Sequence, residues 1–125
     1  HDPWDYKAMI EMMTLYLTSF YVAEADGRII GFSAGAIEDT DEEKYGHVCN
    51  IAVTPEMRGF GIGRLLLRRV ERDFFLEGCR ACSLEVRKSN TNAHGFYERL
   101  DYEDVLVFGG YYSDGEDAVV MMRWF

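Results

Sequence analysis

The sequence predicts a mixed α/β fold, one domain over residues 1–125 built on a central, mostly antiparallel sheet flanked by helices. Three observations lead there. Two β-rich runs meet at a hairpin signal near the start. Two stretches of helical periodicity then separate later strands as crossovers. Two apolar runs joined through a Gly-rich turn make an antiparallel end. With 125 residues, 48% of them hydrophobic, the chain suits a single core.

The first element is a helix over 5–17, where Tyr6, Met9, Ile10, Met13 and Leu17 recur at three- and four-residue spacing behind Pro3 and Asp2 or Asp5. Strands at 20–24 and 29–37 flank Asp26-Gly27, the acidic segment 38–43 is a solvated loop, and a third strand covers 45–53. Pro55 and the glycines at 59, 61 and 63 break that strand before a long helix at 61–77. Its expected buried stripe is Ile62, Leu65, Leu66, Val70 and Phe74, with Arg64, Arg68 and Arg72 outside and Gly78 ending it. A strand at 81–87 follows, then a helix at 91–100 with Phe96, Tyr97 and Leu100 inward. Strands at 102–108 and 118–125 complete the order α-β-β-β-α-β-α-β-β.

Composition narrows the function classes. No apolar run approaches the roughly 18 residues a membrane helix needs, and no signal peptide precedes the first helical pattern. Net charge is −9, a poor basis for binding nucleic acid. The charge is uneven: residues 1–57 carry −8, 58–100 carry +4 and 101–125 carry −5. Five of the basic residues gather at Arg58, Arg64, Arg68, Arg69 and Arg72, either to meet an anion or as an ordinary charged helix face. Cys49, Cys79 and Cys82 form no disulfide framework and read as free, mostly buried thiols. Cys79-x-x-Cys82 skips two residues like a metal pair but lacks a second pair, so no metal is expected.

The most specific local arrangement is strand, Pro55-Glu-Met, then Arg58-Gly-Phe-Gly-Ile-Gly63 opening a helix. Closely spaced glycines let several N–H groups converge on one anion, and the helix start adds unpaired donors and a positive dipole end. A diphosphate is the natural partner, with Arg58 and Arg64 as supplementary charge. The dinucleotide fingerprint fails, because Leu65 and Leu66 stand where glycine or alanine is needed, and there is no Walker Gly-Lys-Ser/Thr. The plain alternative is a Gly-rich turn with a flexible tip.

At these residues the chain resembles the GNAT superfamily of N-acetyltransferases. Arg58, Gly61 and Gly63 match its Arg/Gln-x-x-Gly-x-Gly/Ala motif. Leu84-Glu-Val-Arg87, Ser89-Asn90, Ala93, Phe96-Tyr97-Glu98-Arg-Leu100 and Tyr102-Glu103 resemble the family's later region. The stretch Gly110-Tyr-Tyr-x-x-Gly-Glu-Asp-Ala118 is similar to the ribosomal-protein and archaeal subfamily that acetylates protein N-termini. Together these segments span 45–122. The resemblance implies a GNAT fold whose first strand and helix are missing from this chain. It also places Asp101 where the family has glycine, a left-handed position that Asp tolerates better than most residues.

By the same resemblance the donor is acetyl-CoA, without a metal, and the acceptor is a protein N-terminus; whether the protein is a monomer or a homodimer stays open. The cofactor would lie along the main chain of Ile51, Ala52 and Val53, on the turn Arg58, Gly59, Phe60, Gly61, Ile62, Gly63 and Arg64, and against Asn90 and Tyr97. Glu85, a carboxylate between Leu84 and Val86, holds the general-base position, acting through water; alternatively it pairs with Arg87 or Arg99. Tyr97 holds the general-acid position beside the CoA sulfur, where an aromatic could also be plain core. Asn90 could equally cap the next helix. Tyr111 and Tyr112 resemble an acceptor-gripping wall, and Glu116 could attract a positive amino terminus. His47 and His94 read as structural, with His47 as a reserve base. Other readings are acetylation of a small amine or a lysine side chain, and a noncatalytic CoA-binding protein. The cofactor, the free cysteines and the lack of a secretion signal imply a cytoplasmic location.

Overall fold

The computed structural model describes residues 18–125; the helix expected over 5–17 lies outside them. Strands β1 (Ser19–Ala25) and β2 (Arg28–Asp39) form an antiparallel hairpin. Its turn places both Asp26 (φ 50°) and Gly27 (φ 76°) in the left-handed region, the geometry that matches the natural twist of a hairpin. Strand β3 (Lys44–Val53) continues antiparallel, after a loop closed by the Thr40 amide and hydroxyl on the Glu43 carbonyl. A 3-10 turn (Pro55–Met57) then leads into helix α1 (Ile62–Leu76). Strand β4 (Ala81–Arg87), helix α2 (Thr91–Arg99), strand β5 (Glu103–Phe108) and strand β6 (Ala118–Trp124) complete the fold.

The six strands lie in the order β1-β2-β3-β4-β6-β5. Only β3 and β4 run parallel; the other four pairings are antiparallel, as the sequence predicts. Both helices feed one apolar cluster, in which Leu67, Val70 and Phe74 of α1 meet Tyr97 of α2 and Val48, Leu84, Val86 and Met121 of the sheet. β5 is an edge strand, exposed along its whole length.

The buried stripe of α1 differs from its expectation. Leu67 is fully buried and Leu65 is 57% exposed, because the stripe runs through Leu66, Leu67, Val70, Glu71 and Phe74. The charge at Glu71 hid this face. Its carboxylate is buried but accepts from Arg68 (2.7 Å), the Tyr102 hydroxyl (2.6 Å) and Arg123 (3.4 Å), which satisfies it and turns Arg68 away from the outer row. The helix ends agree with expectation. Gly78 takes φ 88° after α1, and Asp101 takes φ 75° after α2, where its neighbours' amides return to the last turn.

Phe74 anchors α1 to the sheet. A Cβ added at Gly46 would lie 2.3 Å from its ring, and one at Gly35 would lie 2.6 Å from it, so the ring rests directly on two strands that lack side chains there. Gly46→Ala should therefore destabilise the fold by about 1–3 kcal/mol through overpacking. A shift in the chemical denaturation midpoint checks this, with no shift counting against the contact.

Candidate active site

The β3–β4 ladder is short. Gly46 pairs with Cys82 and His47 with Ser83, and beyond these the two strands part. From Val48 onward, β3 keeps its bonds to β2 on one side, leaving its β4-facing main chain around Ile51–Val53 without a ladder partner. A bulge sharpens the break. Gly35 pairs with Val48 and Ala34 with Asn50, so Cys49 is the extra residue on β3.

Two openings meet in the wedge. One, of about 220 Å³, lies between Val48–Ile51 of β3 and Leu84–Arg87 of β4. The other, of about 570 Å³, runs from Ile51, Ala52 and Val53 over the glycine turn to α2. They share Ile51, Asn90, Ala93 and Tyr97. Tyr97 is buried (8% exposed), and burial together with the nearby Tyr112 raises its pKa above the ordinary phenol value. Asn90 caps α2, accepting a hydrogen bond from the Ala93 amide at 3.1 Å, and also lines both openings.

The turn has the form an anionic group needs. Gly61 takes φ 81° and caps α1 with no side-chain hydrogen bond. The first helical bond runs from the Leu65 amide to the Gly61 carbonyl, which leaves the amides of Ile62, Gly63 and Arg64 without an intrahelical partner. Gly59 (φ 88°) is also left-handed, whereas a Cβ at Gly63 would only touch Phe96 at 3.4 Å. Arg58 Nε donates to the Val53 carbonyl at 3.2 Å and so ties the turn to the end of β3. Arg58, Gly59, Gly61, Ile62, Gly63 and Arg64 line the larger opening; Phe60 does not, and is 73% exposed.

Residues 2–102 match the acetyltransferase (GNAT) family. The chain belongs to that family. It is 38% identical over 122 residues to an uncharacterized N-acetyltransferase of Methanocaldococcus jannaschii, covering 97% of this chain and 76% of the relative. It is 34% identical to an N-alpha-acetyltransferase of Sulfurisphaera tokodaii, covering 96% and 77%. Among solved structures it superposes on Chaetomium thermophilum Naa20 in complex with a bisubstrate analogue, with a TM-score of 0.91, 27% identity and coverage of 99% and 75%. The enzyme is thus an N-acetyltransferase, and the fold that the resemblance implies is the one observed.

In this GNAT enzyme Glu85 pairs with neither Arg87 nor Arg99. His47 Nε2 lies 2.8 Å from Glu85 Oε1, and the Tyr111 hydroxyl donates to the same oxygen at 3.4 Å. Sheet register accounts for the pair: Glu85 is two residues beyond Ser83, hence on the same face as the residue opposite His47. Hydrogen bonds to Cys49 and Glu85 outweigh burial and hold the His47 pKa up at about 10. Arg87 is occupied elsewhere. It binds Asp114 (2.8 Å) and Glu116 (2.9 Å) and lies 4.1 Å from the centre of the Tyr112 ring. Glu116 also accepts from the Ser89 amide at 2.8 Å, so it fastens the 109–117 loop to the end of β4. Tyr112 lines the smaller opening.

Sequence reasoning did not single out Cys49, Asn50, Met57, Asn92, Phe96 or Arg99 as lining residues. The bulge that exposes Cys49 carries no sequence signal. Among the described residues, no helix is long and apolar enough to cross a membrane, and no three metal-binding side chains cluster. Cys79 and Cys82 are buried, and burial pushes the Cys82 thiol up to about 12.

His47 should remain an imidazolium well above its ordinary pKa of 6.5, titrating near pH 10 in a proton NMR series. Because the folded value is the higher one, the pair stabilises the fold fully below pH 6.5 and loses that contribution as pH rises past about 10. The destabilisation caused by His47→Gln should shrink over the same window. A ring that titrates near 6.5 would show that the pair does not form.

Proposed function

We propose that this enzyme transfers the acetyl group of acetyl-CoA to the α-amino group of protein N-termini. The observation that carries the reading is the meeting of two openings at Tyr97, with Glu85, held by His47, bordering one and the glycine turn bordering the other. The names of the archaeal relative and of the Naa20 complex support an N-terminal amine as acceptor.

The residues fit the donor. The larger opening begins at the free edge of β3 and ends on the amides of Ile62, Gly63 and Arg64, with Arg58 and Arg64 beside them. That sequence of surfaces suits an acyl-pantetheine arm ending in a diphosphate. When bound, acetyl-CoA supplies an acyl carbon activated as a thioester.

The remaining chemistry belongs to the chain. An α-amine has a pKa of about 8 and is partly neutral near pH 7, yet its nitrogen must shed a proton on becoming an amide. Glu85 accepts that proton through a water. His47, already protonated, cannot compete for it and instead holds the carboxylate in place. Tyr97 keeps its proton at all ordinary pH values and delivers it from Oη to the departing sulfur. Tyr111 and Tyr112 form the wall against which the first residues of the acceptor lie, and Arg87 and Glu116 brace that wall.

Two measurements test this. Peptides varied at their first two residues, incubated with acetyl-CoA, should be acetylated at the α-amine; acetylation confined to spermine, free amino acids or lysine side chains would overturn the acceptor assignment. Tyr97→Phe and Glu85→Gln should each lower kcat by about 10²–10⁴-fold, the former with little change in acetyl-CoA affinity and the latter with a changed pH–rate profile. Unchanged turnover in either variant would remove that residue from its role.

A further inference from the structure

One group in the smaller opening takes no part in this scheme. Cys49 lines it, half-buried, whereas Cys79 and Cys82 are buried in the core. Its Sγ lies 3.7 Å from His47 Nδ1, and the other nitrogen of that ring lies 2.8 Å from Glu85 Oε1. The sulfur also lies 3.7 Å from the His47 carbonyl oxygen, to which the thiol proton can point. Sulfur, imidazolium and carboxylate thus stand in an order in which the charged ring can hold the sulfur as a nucleophilic thiolate. The arrangement follows from local structure: Cys49 is two residues from His47 on β3, and the bulge at Cys49 lies where the β3–β4 ladder has already ended.

We propose that Cys49 is a self-acetylation site, whose sulfur takes the acetyl group from acetyl-CoA when no amine is present. The inference rests on the acetyl-CoA part of the reading above and not on the identity of the amine. The opening that holds Cys49 joins the donor groove at Ile51 and Tyr97, so the sulfur stands on the acceptor side of the same junction. The thiol proton leaves to solvent, and the His47 imidazolium, whose Nδ1–H faces the sulfur and whose charge Glu85 balances, stabilises the thiolate left behind. The thiolate forms a bond from Sγ to the acyl carbon, and the bond from that carbon to the CoA sulfur breaks. CoA leaves as a thiolate and takes a proton from Tyr97 Oη, which solvent replaces. One thioester replaces another, with no change in oxidation state, so the acetyl group stays activated on the protein. Other ionisable groups facing the sulfur are Glu85 from β4, Tyr97 from α2, and Tyr111 and Tyr112 from the 109–117 loop. The Arg87 guanidinium also lines the opening, held by Asp114 and Glu116; apart from it and Glu85 these groups are neutral near pH 7.

The test is to incubate the full chain with saturating acetyl-CoA and no acceptor, then measure intact mass and map the modified peptide. The expected result is one acetyl group on the peptide containing Cys49, released by hydroxylamine and absent from Cys49→Ser, or from Cys49→Ala should the serine variant not fold. The rate of thioester formation at pH 7 should fall about tenfold or more in His47→Gln, which lacks the charged ring nitrogen that faces the sulfur. An unmodified Cys49 in protein that binds acetyl-CoA overturns the proposal, as does a hydroxylamine-resistant acetyl group elsewhere. Peptide acetylation without a thioester would sink self-acetylation and leave the acceptor reading standing. A thioester without peptide acetylation would do the reverse.

Discussion

The cleft in this sheet depends on the early end of one ladder. Two residue pairs join β3 to β4, and then the strands separate although each continues for several residues. A complete ladder would pair the backbone groups of Ile51–Val53 and seal the space between the strands. An open one leaves polar main chain at the edge of a wedge, where only a ligand or water can satisfy it. α2 and the cap at Asn90 close the wedge from one side, and Tyr112 of the 109–117 loop closes it from the other. The parallel pairing itself also matters, because it sets His47 and Glu85 on the same face before the strands part.

Much of the fold was legible in the chain because its punctuation is local. Asp26-Gly27, Gly61, Gly78 and Asp101 all sit at left-handed positions that few residues tolerate, and each marks an element boundary. The glycine turn was readable for the same reason. What could not be read depends on distant partners. Glu71 looks like surface until Arg68, Arg123 and Tyr102 converge on it, and its charge concealed the true face of α1. His47 and Glu85 are separated by 38 positions, so only sheet register reveals them as a pair. Cys49 became visible only with the bulge, which no pattern of residue types announces.

The site's electrostatics are arranged in short, closed circuits rather than as a broad field. Despite a net charge of −9, the carboxylates near the cleft are mostly engaged: Glu85 by His47, Asp114 and Glu116 by Arg87. Arg87 shows why a sequence-level count of basic residues misleads here. It lies in the most basic third of the chain, yet its charge is spent on bracing an acidic loop and stacking on Tyr112. Among the described residues, the cations that line the larger opening without an acidic partner are Arg58, through its terminal nitrogens, Arg64 and Arg99.

The seat of Phe74 on Gly35 and Gly46 has a mechanical meaning as well as an energetic one. Phe74 stands twelve residues after Ile62 on α1, so the helix acts as a lever about 18 Å long at 1.5 Å per residue. One end is pinned by an aromatic ring against bare backbone, and the other carries the unpaired amides of Ile62, Gly63 and Arg64 at the larger opening. A tilt of only about 3° at the pinned end would swing those amides by about 1 Å, more than a hydrogen bond tolerates. Two glycines that line neither opening therefore act as the alignment stage for the glycine turn. Any change that lets the ring rock would blur that alignment before the protein unfolds.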